Sequence, residues 1–152
     1  MGKLKPLEYA FYLLKSRDRS IGEMEGKLRR KEFSDEEISQ TLKFLTQKNF
    51  LDDEKFAANF VRFKKTIKPV GKYYLQNKLL EKKIPKEIIE KTLVENADLP
   101  SEIEELADRW LRKNIKIPPE KIYGKLSRHL LSRGFEWEKV RDVVTEKLKK
   151  AT

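Results

Sequence analysis

The chain has 152 residues, of which 38% are hydrophobic and 39% are charged, and its Lys and Arg residues exceed its Asp and Glu residues by 10. A chain of this length can bury roughly 68–70% of its unfolded surface, which is enough for a real core. It contains no cysteine, which excludes disulfides and thiolate metal sites. No apolar run approaches the ~18 residues of a membrane span, and the N-terminus lacks the apolar segment of a signal peptide. We therefore expect a folded, soluble, basic protein of the cytoplasm.

Apolar residues recur at helical spacing along almost the whole chain, and no stretch alternates in the manner of a strand. The pattern predicts an all-α fold with nine helices, at residues 6–16, 20–32, 34–48, 53–67, 71–83, 85–96, 102–114, 119–132 and 136–150. Sequences that fit a capping box begin at Ser20, Ser34 and Ser101, where a hydroxyl precedes a glutamate by three residues. Gly134 suits the left-handed position that follows a helix end.

Several aromatic residues fall on the predicted apolar faces. The fourth helix is expected to bury a stripe of apolar side chains, namely Phe56, Phe60, Phe63 and Ile67. Trp110 and Trp137 lie on or beside similar stripes, and we assign both to the core. Aromatic residues at this spacing are typical of a core rather than of a ligand site.

A repeat of about 51 residues runs through the chain. Phe33, Ile84 and Phe135 are 51 residues apart, and a leucine stands five residues before each of them. We predict three tandem three-helix repeats, at residues 1–51, 52–99 and 100–152. A unit of this size rarely buries its whole hydrophobic surface, so the repeats are expected to stack as an elongated array with a continuous core. The alternative is one bundle of six to nine helices with accidental spacing, which three matched positions disfavour.

Basic residues concentrate in the same part of each repeat, from the end of the first helix through the second. In a stacked array this recurrence predicts a basic stripe that follows a phosphate backbone or a long acidic groove. For one such segment a solubilising face is the better interpretation, but three copies favour binding. The candidate binding residues are Lys15, Arg17, Arg19, Arg29, Arg30, Arg62, Lys64, Lys65, Lys68, Lys72, Lys78, Lys121, Lys125, Arg128 and Arg133.

Three tyrosines, Tyr73, Tyr74 and Tyr123, are interleaved with these charges. Each could stack on a nucleic-acid base, because base stacking on aromatic rings tolerates any sequence. A tyrosine at helical spacing is more often part of a core edge, and we regard that as the commoner outcome.

The sequence shows no pattern that indicates an enzyme. His129 is the only histidine, so a His-rich metal site is excluded, and no phosphate-binding glycine loop or nucleophile elbow is present. Asp52 and Asp53 precede an apolar helix, where an aspartate is usually a cap rather than a catalytic carboxylate. We predict a protein without catalytic residues, metal or cofactor.

An ordered set of short motifs resembles the RecX regulators of bacterial recombination and covers nearly the whole chain. The set comprises Ser16-Arg17, Arg19-Ser20, Lys27-Leu28, Leu51-Asp52-Asp53, Phe56-Ala57, Phe60-Val61, Gly71-Lys72, Lys78-Leu79, Lys83-Ile84, Lys125-Leu126, Leu130 and Arg133-Gly134-Phe135. Two departures are visible. Lys31-Glu32 stands where the family usually has a Lys-Gly helix stop, and Tyr73-Tyr74 stands where an arginine is common.

The resemblance implies a curved array of three-helix repeats that binds the RecA filament on single-stranded DNA and restrains its recombinase, ATPase and coprotease activities, in DNA repair and the SOS response. A quasi-periodic protein can contact successive subunits of a filament and gain avidity from weak contacts. The expected partners are the RecA filament and single-stranded DNA, with double-stranded DNA as a further ligand, and we expect a monomer. Two alternatives remain open: a DNA-binding protein that acts without RecA, and a helical scaffold for an acidic partner unconnected with DNA.

Overall fold

The computed structural model describes residues 4–150, which form nine α-helices and no β-strand. The helices are α1 (Pro6–Ser16), α2 (Ile21–Arg30), α3 (Asp35–Gln47), α4 (Asp53–Ile67), α5 (Lys72–Glu81), α6 (Lys86–Glu95), α7 (Pro100–Lys113), α8 (Pro119–Ser132) and α9 (Trp137–Lys150). The all-α prediction is confirmed. Each predicted helix has one observed counterpart, and their ends differ by at most 2 residues.

Two of the predicted capping boxes form as expected. The hydroxyls of Ser20 and Ser34 accept hydrogen bonds from the amides of Glu23 at 3.0 Å and Glu37 at 3.1 Å. In return the two glutamate carboxylates accept from the amides of Ser20 at 3.1 Å and Ser34 at 2.9 Å. These reciprocal bonds satisfy amides that have no partner within the first turn of a helix.

The third predicted capping box is wrong. Helix α7 begins at Pro100, so Ser101 lies inside the helix and does not cap it. The amide of Leu99 instead donates to the Glu102 carboxylate at 3.3 Å. Proline starts the helix two residues earlier than predicted, because its fixed φ suits the first turn and its missing amide is not needed there.

The 51-residue repeat is visible in the backbone. Glu32, Lys83 and Gly134 have positive φ values of 67°, 61° and 92° at equivalent positions of the three repeats. The amide of each donates to the carbonyl three residues earlier at 2.9 Å. This left-handed turn ends the second helix of every repeat and directs the chain into the third. The three-repeat fold predicted from sequence is therefore confirmed.

The first compact unit comprises residues 4–60 and 79–92. Its core is an apolar cluster on α1, α2, α3 and the residues after α3, made of Ala10, Leu13, Met24, Leu28, Ile38, Leu45 and Leu51. Burial of this apolar area is the main favourable contribution to the stability of the unit.

Asp52 and Asp53 both act as caps in the first compact unit. The Asp52 carboxylate accepts from the amide of Lys55 at 3.1 Å and caps α4. The buried Asp53 carboxylate accepts from the amide of Ile21 at 2.9 Å and so caps a different helix, α2. The predicted structural role of this pair is confirmed, since both carboxylates satisfy helix amides.

The second compact unit comprises residues 61–78 and 93–150. Its core joins α7, α8 and α9 through Ile103, Leu106, Ala107, Leu126, Leu130, Phe135, Val140, Val143 and Val144. Trp110 packs against this cluster, as predicted. None of the helices formed by the described residues is both long and apolar enough to cross a membrane.

Three residues that were assigned to the core are exposed. Phe63 and Ile67 of α4 are 61% and 64% exposed, whereas Ala57 and Val61 of the same helix are fully buried. Trp137, at the start of α9, is 45% exposed. Small side chains such as alanine allow packed helices to approach more closely, so the buried face of a helix need not carry its largest residues.

Candidate nucleic-acid interface

Arg17 is held inside the first compact unit by an ion pair. Its guanidinium contacts the Glu23 carboxylate at 2.8 Å, and Lys82 lies 3.6 Å from the same carboxylate. Burial tends to raise the pKa of Glu23, but the hydrogen bonds from Arg17 and from the Ser20 amide, with the charge of Lys82, bring it below its ordinary value. Arg17 therefore serves the α1–α2 junction.

Arg29 is also paired, although it is exposed. Its guanidinium contacts Glu25 at 3.0 Å and Asp35 at 2.7 Å. The hydrogen bonds to Asp35 and Glu25 raise the pKa of Arg29. Such exposed pairs contribute little to stability, but they cancel much of the positive charge that Arg29 could offer to a ligand.

The other predicted cations of the first unit, Lys15, Arg19 and Arg30, form no ion pair with a carboxylate of residues 4–150. Lys15 and Arg19 line one shallow pocket beside Tyr12, which is 70% exposed. Arg19 also borders a smaller pocket with Phe50. This end of the first unit therefore combines unpaired cations with exposed aromatic rings.

In the second compact unit, two predicted binding lysines have structural partners. The ammonium of Lys65 donates to the carbonyl of Asn96 at 3.1 Å and to the Glu102 carboxylate at 3.2 Å. Lys72 forms a short ion pair with Glu136. That hydrogen bond lowers the pKa of Glu136 and raises the pKa of Lys72. Both lysines thus connect chain segments that are distant in sequence.

The remaining predicted cations of the second unit fall into two groups. Five of them form no ion pair with a carboxylate in the described part of the chain: Lys68, Lys121, Lys125, Arg128 and Arg133. Among the others, Arg62 is exposed, while Lys64 and Lys78 are half-buried. Positive charge without an internal counter-charge is what a polyanion would neutralise.

Two glycines bring the start of α5 against the turn between α8 and α9. The amide of Gly71 donates to the carbonyl of Arg133 at 2.8 Å, and the amide of Tyr73 donates to the carbonyl of Gly134 at 3.0 Å. A Cβ atom on Gly71 would lie 2.3 Å from the Gly134 backbone, and one on Gly134 would lie 2.4 Å from the amide nitrogen of Tyr74. Only glycine permits two backbones to approach this closely.

This close approach places Tyr74 beside two cations. The guanidinium carbon of Arg133 lies 5.5 Å from the centroid of the Tyr74 ring, and the ammonium nitrogen of Lys78 lies 5.6 Å from it. Both distances suit cation–π attraction. Aromatic rings accompanied by cations are typical of grooves that bind single-stranded nucleic acid.

His129, on α8, is acted on by three positive charges of this unit. Burial lowers the pKa of its imidazole, and the charges of Lys68, Arg133 and Lys113 lower it further. The ring of Trp110 lies 6.5 Å away, centroid to centroid. The imidazole is therefore neutral near physiological pH, in a place where positive charge is already concentrated.

Lys113 and His129 are members of this site that the sequence analysis did not assign to it. His129 could have been assigned from the sequence, because it precedes Arg133 by four residues and residues at this spacing share a face of a helix, here α8. No such signal exists for Lys113, which ends α7 and joins the cluster only through the packing of α7 against α8. Within residues 4–150, no group of three His, Asp or Glu side chains is placed to hold a metal ion.

Comparisons with known proteins match the chain along most of its length. Residues 7–45 match the profile described as RecX, first three-helix domain; residues 52–93 match the second three-helix domain and residues 101–144 the third. The chain is 36% identical to the regulatory protein RecX of Prosthecochloris aestuarii, over 95% of this chain and 94% of that protein. It is 29% identical to the regulatory protein RecX of Vibrio parahaemolyticus, over 90% of this chain and 88% of that protein.

The fold is also found among solved structures. The crystal structure of RecX from Lactobacillus salivarius superposes with a TM-score of 0.88, at 22% identity and 96% coverage of both chains. A second crystal structure, of a regulatory protein RecX, gives a TM-score of 0.80 over 96% of this chain and 70% of that chain. At this level of identity the two superpositions show that the fold is shared and nothing further.

Proposed function

Because the chain belongs to the RecX family, we propose that it regulates the RecA recombinase by binding the RecA filament on single-stranded DNA. The observation that carries the proposal is the match of three consecutive RecX domains in the family's order. In this proposal the protein acts in the cytoplasm as a monomer and without catalysis. It restrains ATP hydrolysis, strand exchange and coprotease activity.

The cations that lack an internal partner are the proposed contacts with the filament. The strongest set lies on α8, where Lys121, Lys125 and Arg128 are exposed and form no ion pair with a carboxylate of the described chain. Lys65 and Lys72 are occupied by carboxylates of the same unit, so we propose that their role is structural. Arg17 and Arg29 are assigned a structural role for the same reason.

The direct test is a titration of the purified protein into a DNA-dependent ATPase assay of RecA from the same organism. We expect inhibition at equimolar or lower ratios of this protein to RecA. Arg128→Glu should require about 5–10-fold more protein for half-inhibition, the result of losing roughly 1 kcal/mol of attraction. Lys43→Glu is the matched control, because Lys43 is exposed on α3, forms no ion pair with residues 4–150 and undergoes the same change of charge. If the unmodified protein does not inhibit ATP hydrolysis by RecA, the proposal is wrong.

A second candidate is binding to single-stranded DNA without RecA. The arrangement of Tyr74 beside Arg133 and Lys78 favours it, since stacking rings between cations are used by proteins that bind single strands. This candidate predicts that log K for an oligonucleotide falls with log salt by roughly 0.7 per neutralised phosphate. An absence of binding in about 50 mM salt, where such attraction is strong, would reject it.

A further inference from the structure

We propose that Lys68, Lys113, His129 and Arg133 form a site for one backbone phosphate of a single-stranded nucleic acid. The inference deepens the proposed function and rests on it for the biological ligand, the DNA strand of the filament. It goes further in assigning one phosphate to one group of side chains in the second compact unit. It also gives the interaction a dependence on pH.

The site is assembled from three separate segments. Lys68 follows α4, Lys113 is the last residue of α7, and His129 and Arg133 lie one turn apart at the end of α8. The backbone bond from the Gly71 amide to the Arg133 carbonyl, 2.8 Å long, fixes the segment that carries Lys68 against the end of α8. Lys113 is brought to this region by the packing of α7 against α8. Segments that are anchored before a ligand arrives lose less entropy on binding.

No carboxylate compensates the positive charge of this site. Lys68, Lys113 and Arg133 form no ion pair with an acid of the described residues, whereas Lys65 and Lys72 of the same unit each have one. The Nε atom of Arg133 is buried and has no hydrogen-bond partner among those residues. Groups with perturbed protonation and unmet hydrogen bonds are typical of functional sites.

The chemistry of the group fits a phosphodiester. A phosphate has several acceptor oxygens, which suit ammonium groups and the planar fork of a guanidinium. The guanidinium carbon of Arg133 lies 5.5 Å from the centroid of the Tyr74 ring, and aromatic rings beside cations recur in proteins that bind single strands. Tyr73, the preceding residue, is 49% exposed. The neighbouring rings favour a nucleic-acid strand over an acidic peptide.

His129 makes this site sensitive to pH. The charged groups that act on its imidazole are Lys68 from the segment after α4, Lys113 from α7 and Arg133 from α8, and no carboxylate opposes them. A bound phosphate would add a negative charge beside the imidazole and favour its protonated form. Binding would then take up a proton, so affinity should increase as the pH falls through the range in which His129 titrates.

The test uses the full chain and an oligothymidylate of about ten nucleotides, whose own groups do not titrate between about pH 5.5 and 8. NMR follows the ring signals of His129, the only histidine of the chain. We expect saturation with the oligonucleotide to raise the pKa of His129 by about one unit, which corresponds to roughly 10-fold tighter binding at the acidic end. For His129→Gln the affinity for the oligonucleotide should be the same at the acidic and the alkaline end of this pH range. An unchanged pKa on saturation would overturn the inference.

Further measurements identify the ligand and distinguish the phosphate site from the proposed function. Lys68→Ala should weaken oligonucleotide binding and raise the pKa of His129 in the free protein, while the exposed control Lys43→Ala should change neither. If sulfate shifts the His129 signals and the oligonucleotide does not, the site is one for small oxyanions and the assignment to a nucleic acid is wrong. If the oligonucleotide shifts them but RecA is not inhibited, the proposed function fails and the phosphate site stands. If RecA is inhibited but the oligonucleotide leaves the signals unchanged, the phosphate site fails and the proposed function stands.

Discussion

Replacement of Gly134 by alanine should destabilise the second compact unit by about 3 kcal/mol. The residue has φ of 92°, in the left-handed region where a side chain costs roughly 1–2 kcal/mol. The added Cβ would also lie 2.4 Å from the amide nitrogen of Tyr74 and 2.6 Å from its Cβ. These atoms belong to α5, whose start is joined to this turn by backbone hydrogen bonds to Arg133 and Gly134. Overpacking of this kind costs about 1–3 kcal/mol, offset in part by the loss of unfolded-state entropy.

Gly124→Ala is the matched control in the same repeat. Gly124 lies inside α8, and a Cβ there would meet only the Nη2 atom of Arg128, at 3.9 Å. Alanine should therefore stabilise that helix by about 0.5–1 kcal/mol. Urea denaturation followed by circular dichroism gives both free energies of unfolding. If the two variants differ by less than about 1 kcal/mol, the close approach of Gly134 to α5 is not what holds this junction.

Three further predictions concern the first compact unit and α4. Glu32→Gly should stabilise the protein by about 0.5–1 kcal/mol in a urea titration, because Glu32 has a positive φ of 67° that glycine adopts without strain. Glu23→Gln should lower the free energy of unfolding at neutral pH, and its difference in this free energy from the unmodified protein should fade as pH falls below about 4. The reason is that the pKa of Glu23 is lowered in the folded state, so its contribution is lost when the carboxylate is protonated. A difference that stays unchanged at low pH would contradict this. Phe63→Ala, at a side chain 61% exposed, should cost less than about 0.5 kcal/mol, whereas Leu28→Ala, at a fully buried one, should cost about 2–5 kcal/mol.

The repeat and the helix boundaries could be predicted from the sequence because their causes are local. A serine followed by a glutamate three residues later determines the starts of α2 and α3, and the bonds it predicts are formed. The helix ends at Glu32, Lys83 and Gly134 share one backbone conformation at a spacing of 51 residues. Apolar anchors at the same spacing already indicated three copies of one unit. The ordered family motifs are likewise short stretches of sequence that can be read without the tertiary structure.

Only the tertiary structure decided which side of a helix is buried and which cations remain available. Helix α4 buries Ala57 and Val61 and exposes Phe63, because the neighbours packed on a helix, rather than its own residue sizes, select the buried face. Lys72 forms an ion pair with Glu136, which is more than sixty residues away in sequence. Lys68 and Lys113 form no ion pair with an acid of residues 4–150, and their charges act on His129 instead. A count of charges along the chain treats these lysines as equal. Their difference depends on distances between segments that only the packing of the helices brings together.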